Sequence, residues 1–125
     1  MTMVRTFFVL GSVASFLGIA LGAFAAHLLK DKLTPEMFNI YEVGIRYHMY
    51  HAIALFIVAW ACSIAPGANV APAGWLFLAG IVLFSGSLYA LSLTEIKTLG
   101  IITPFGGLCF LAGWAWLGWT AWKTF

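Results

Sequence analysis

The chain has 125 residues, of which 63% are hydrophobic and only 8% charged, with a formal net charge of +2. An average soluble domain is about 45–50% apolar and about 25% charged, and six basic and four acidic side chains cannot cover the large surface of so short a chain. A soluble globular enzyme, a disordered tail and a nucleic-acid binder are thereby excluded, and two cysteines are too few for a disulfide framework.

What remains is an all-α integral membrane protein with room for about four spans of about 20 residues each. The first span, about 6–29, follows Arg5 and carries no charge. Arg5 and Ala23-Phe24-Ala25 fit the pattern of a cleaved leader, but the apolar stretch is long for one, and a retained helix is expected. Lys30, Asp31, Lys32, Glu36, Glu42 and Arg46 come next. Thr34-Pro35 reads as a helix start. Glu36, Asn39, Glu42 and Arg46 then form a polar stripe at helical spacing, backed by Met37, Ile40, Tyr41 and Ile45. This predicts an amphipathic helix over about 35–46, either lying at the membrane surface or extending the second span into water.

No charge occurs from Tyr47 to Thr94, and Pro66-Gly67-Ala68-Asn69 with Pro72 divide that run into spans at about 47–65 and 73–94. Glu95 and Lys97 mark a turn. Thr103 is read as the N-cap and Pro104 as the first residue of a last span, about 104–122. The predicted architecture is a four-helix bundle, one transmembrane domain over 1–125, with an amphipathic interfacial helix between the first two spans.

Four spans put both termini and the 66–72 loop on one side. Arg5 and Lys123 lie there, against Lys30, Lys32, Arg46 and Lys97 on the other. The positive-inside rule places the two charged loops in the cytoplasm and both termini outside it. All six tryptophans fall toward the terminal side, and Tyr41, Tyr47, Tyr50 and Tyr89 toward the loop side. Interfacial aromatic belts account for both sets.

Helix one carries Ala14, Gly18, Gly22 and Ala26 at four-residue spacing, which lets a neighbouring backbone approach closely. Gly86 and Ala90 in the third span, and Gly106, Gly107 and Gly113 in the fourth, offer similar surfaces. Ser85, Tyr89 and Ser92 share a face of the third span, to bond across helices or to line a polar cavity. His27, His48 and His51 all fall near the loop-side face. Histidines three apart on one helix, with a third from a neighbour, are the pattern of a metal or haem site. No acid stands inside the spans, so neither a carboxylate pair nor a Ser-His-Asp set is available there. Cys62 and Cys109 lie at depths too different for a disulfide and read as small packed hydrophobes.

Gly22-Ala23-Phe24-Ala25-Ala26-His27, Tyr47 through His51, Phe84-Ser85-Gly86-Ser87-Leu88-Tyr89, Thr103-Pro104-Phe105-Gly106-Gly107 and Ala112-Gly113-Trp114 occur in that order. The ordered set resembles a small inner-membrane family of unknown function that includes bacterial YgdD and animal transmembrane protein 256. The resemblance spans nearly the whole chain. It implies a four-span protein of the bacterial inner membrane with a retained first helix, and no assigned activity. The family commonly has Gly at Ala25 and Gln at His48. A three-histidine metal site is therefore not its shared property, and His27 and His51 remain as the motif-matching pair.

Three functions stay open on these residues. The first is a non-enzymatic protein that associates with itself or with a larger membrane complex, with membrane lipid as its other partner and no cofactor. The second is a small oligomeric channel or carrier. The third is a haem- or metal-binding redox subunit.

Overall fold

Residues 2–125 are described by a computed structural model in which four long helices carry the chain and no strand occurs among the described residues. Helix α1 spans Met3–Leu29, α2 Pro35–Ile64 and α3 Ala71–Thr94. A 3-10 turn at Lys97–Ile101 leads into α4, Thr103–Thr124. All four are long and apolar enough to cross a membrane.

Local chemistry explains most of the boundaries. Thr2 accepts a hydrogen bond from the Arg5 amide, and Thr34 one from the Met37 amide at 3.2 Å ahead of Pro35. Helix α3 stops at Glu95, whose left-handed backbone (φ 58°) turns the chain out of the helix while its amide still reaches the Leu91 carbonyl. Thr103 does not cap α4. The 3-10 turn runs straight into the helix, so the Phe105 amide is satisfied by the Ile102 carbonyl. The Thr103 hydroxyl is left to pair with Ser87 of α3 at 2.6 Å.

Residues 35–46 are not a separate interfacial helix. They are the first three turns of α2, which continues unbroken to Ile64. Of the two arrangements open for this segment, the extension of the second span is the one formed. Its apolar side is covered: Tyr41 and Met37 are buried, and the Tyr41 hydroxyl donates to the Leu21 carbonyl of α1 at 2.9 Å. A helix whose apolar stripe packs on a neighbour has no face left to lay into lipid.

Helix α1 lies along α2, α4 lies along α3, and α2 and α3 pack on each other between them. The recurring joint is a large side chain seated on a glycine of the next helix. Phe7 sits on Gly74, Met49 on Gly18, Phe110 on Gly80, Phe77 on Gly113 and Tyr89 on Gly44. At Gly106 even the Phe84 backbone comes too close for any side chain. Lipid tails are as apolar as the side chains, so such close fitting, rather than a hydrophobic drive, holds membrane helices together. The largest core cluster gathers Phe7, Leu55, Val58, Phe77 and Phe110, and a smaller one at the charged end joins Ala25, Leu29 and Tyr41.

Helices α1 and α3 each contain a π-helical turn, at Ala25–Leu29 and Ile81–Ser85. The second holds Ser85 against α2, where its hydroxyl donates to the Gly44 carbonyl at 2.7 Å. It also carries Phe84, which meets Gly106.

Candidate functional site

Helix α2 turns two imidazoles toward different neighbours. The His48 Nε2 lies 2.8 Å from the Ala14 carbonyl of α1, and its Nδ1 lies 2.8 Å from the Tyr89 hydroxyl of α3. A carbonyl only accepts, so the proton sits on Nε2, and Nδ1 accepts a hydrogen bond from the Tyr89 hydroxyl. His51 has the opposite tautomer. Its Nδ1 donates to the Tyr47 carbonyl one turn back at 2.7 Å, and its Nε2 accepts from the Trp114 indole of α4 at 3.0 Å. An indole N–H only donates, so Nε2 carries no proton. Both rings are buried and use both nitrogens while neutral.

This arrangement disposes of each residue singled out by sequence. His27 lies exposed on the π-helical end of α1, and the three histidines do not come together: among the described residues no group of three or more potential ligands could hold a metal. His48 and His51 offer no free ring nitrogen. Ser85 and Tyr89 bond across to α2, whereas Ser92 turns back to the Tyr89 carbonyl of its own helix. Ala14 and Gly18 are buried against α2, Gly22 is half-buried and Ala26 is exposed. A strict four-residue stripe drifts around a helix of 3.6 residues per turn, so its far end leaves the interface, and Ala25 and Leu29 take over. Gly106 and Gly113 are buried at the α3–α4 joint, while Gly107, Gly86 and Ala90 are half-buried. Cys62 and Cys109 are both free thiols.

The aromatic belts hold for some rings only. Tyr41 is wholly buried, and Trp114 and Trp116 are tied down, the latter donating to the Asn69 carbonyl at 2.8 Å. Trp122, 82% exposed, stays at the surface.

Sequence reading missed the partners. His51 stacks flat on Phe110, ring centres 3.5 Å apart and planes 7° from parallel. Phe77 and Trp114 close around it. The signal was present in the glycines of α3, since Gly74 and Gly80 are the seats for Phe7 and Phe110. The stack joins α2 to α4 by side chains alone and leaves a cavity of about 940 Å³ between the two helices, lined by Tyr47, Ile53, Phe84, Leu108 and Trp114 among others. A smaller one of about 350 Å³ lies at the charged end between α1 and α2, where Gly22 and Ala26 face Glu42 and Arg46.

Residues 21–107 match the family described as "Protein of unknown function (DUF423)". A UPF0382 membrane protein of Bacillus subtilis, YwdK, is 48% identical over 111 residues, covering 88% of this chain and 90% of that protein. The UPF0382 membrane protein SH2409 of Staphylococcus haemolyticus is 44% identical over 110 residues, covering 88% and 89%. No solved structure matches. The similarity to a small membrane family of unknown function is thus borne out, and the four apolar helices are those of a multi-pass membrane protein.

Proposed function

The chain belongs to this family of membrane proteins of unknown function, and we propose that it acts there by association rather than by chemistry, as a non-enzymatic protein of the bacterial inner membrane. It joins a second copy of itself or the helices of a larger membrane complex.

The observation that carries this reading is the split fate of the small-residue stripe on α1. Ala14 and Gly18 are covered by α2, whereas Gly22 meets only Ile45, at ordinary contact distance, and Ala26 is exposed. Small residues left open at a membrane helix face are where another helix approaches. The polar interior adds support. A carrier or a catalyst needs groups free to meet a solute, and an intramembrane ionisable residue is the usual mark of a pathway. Here His48, His51, Tyr89 and Ser85 are all engaged within the chain. The same engagement weighs against a haem or metal centre.

Cross-linking in intact membranes tests it. With the free thiols Cys62 and Cys109 replaced by alanine, a maleimide cross-linker on Ala26→Cys should yield adducts above the mass of one chain, with itself or with another protein. The same reagent on Phe16→Cys, 72% exposed on α1, should yield several-fold fewer. Equal yields from the two positions would overturn the proposal.

A further inference from the structure

We infer that the groove between α2 and α4 is a binding site for the acyl chains of a membrane phospholipid.

Both walls belong to membrane-spanning helices, and Ile53, Leu108 and Leu111 form edges that are 51%, 62% and 68% exposed. The occupant therefore comes from the bilayer. Water is a poor filler, because a held water needs 2–4 polar partners and the lining is overwhelmingly apolar. An empty space of this size would forfeit the dispersion contacts of every lining atom.

The dimensions select a lipid chain. The groove runs on α4 from Pro104, at the start of the helix, to Trp114. Ten residues at 1.5 Å each make about 15 Å, which is half of a hydrocarbon core about 30 Å thick. That is the depth of one leaflet. The flat stack of His51 on Phe110 and the indole of Trp114 form part of the groove wall. Tyr47, one turn nearer the charged loop than His51, also lines it, a ring suited to the headgroup level. Lys97, in the turn that leads to Pro104, sets a cation on the side where a phosphate would lie.

The test is photolabelling of the full chain in phosphatidylcholine vesicles containing a phosphatidylcholine with a diazirine near the end of one acyl chain. Peptides covering 47–53 and 104–114 should carry several-fold more label than the exposed face of α1 around Phe16. Gly107→Phe should cut groove labelling several-fold, since a side chain there meets only Phe84, at 3.9 Å, and otherwise fills the groove. Leu111→Trp, at the rim, should act in the same direction, while Leu17→Phe on α1 should not. Label spread in proportion to exposure, or groove labelling unchanged in both groove variants, would overturn the inference. So would a cross-linked second chain recovered at 104–114. If neither groove variant folds, the wild-type pattern decides alone.

Discussion

The indole of Trp114 donates to Nε2 of His51 at 3.0 Å, and this bond spans the seam where α2 and α4 meet through side chains. It fixes the tautomer of His51 and orients the ring that lies flat on Phe110. A second proton on Nε2 would face the indole N–H and break the bond.

Trp114→Phe keeps an aromatic ring beside Phe77 but leaves Nε2 without a donor. Interhelical hydrogen bonds in membranes average about 0.6 kcal/mol and reach about 1.7, so a loss in that range is expected. Thermal unfolding in detergent measures it. Nitrogen NMR of the wild-type chain should find the His51 proton on Nδ1. An unchanged melting temperature in Trp114→Phe would remove the bond's structural role.

His48 makes a contrasting prediction. Its neutral ring offers one donor to Ala14 and one acceptor to Tyr89, and a glutamine amide offers the same pair. His48→Gln should melt close to wild type. His48→Leu leaves the Tyr89 hydroxyl without its acceptor and removes the second, interhelical bond to the Ala14 carbonyl, and should lose about 1–3 kcal/mol. Equal melting of the two variants would show that the bridge contributes nothing.

Two glycines of α4 should respond oppositely to the same change. A Cβ at Gly106 would run into the backbone at Phe84, whereas nothing lies within 4 Å of one at Gly118. Gly118→Ala gains helix propensity, roughly 0.5–1 kcal/mol. Gly106→Ala must push α3 and α4 apart and should lose more than that gain. The two melting curves, run side by side, give the signs directly.

Arg5 and Lys123, set against Lys30, Lys32, Arg46 and Lys97, predict both termini outside the cytoplasm by the positive-inside rule. A periplasmic phosphatase fused after Phe125 should be active, and a fluorescent protein fused there should be dark. The reverse pattern would invert the orientation and leave the four helices as they are.

The four spans were legible because no charge falls in 6–29, 47–94 or 98–122 and Pro66-Gly67 interrupts the long apolar run. The fate of 35–46 was not. An amphipathic stripe looks the same whether its apolar side meets lipid or α1, and only the burial of Tyr41 against Leu21 distinguishes them. The histidines were visible but their roles were not. His48 and His51 stand three apart on one helix, the spacing of paired ligands, yet each turns to a different neighbour. Pairings such as His51 with Trp114, 63 positions apart, depend on how helices are arranged, and periodicity along one helix does not carry that. Thr103-Pro104 did mark a helix start, and only the capping role of Thr103 was misread, since the preceding 3-10 turn had already satisfied the first amides.

The mass of the particle extracted from native membranes in a mild detergent tests the central claim most directly, because it registers association whatever the partner. A single chain is 13.6 kDa. The wild-type particle, corrected for bound detergent and lipid, should exceed this through a second copy or another protein. Gly22→Leu should return it toward one chain with little change in melting, since a Cβ there meets only Ile45, at an ordinary contact distance of 3.7 Å, and the rest of the side chain has the open groove beside Gly22 to enter. Phe16→Leu should leave the particle intact. A wild-type particle with the mass of one chain and no companion protein would contradict the account.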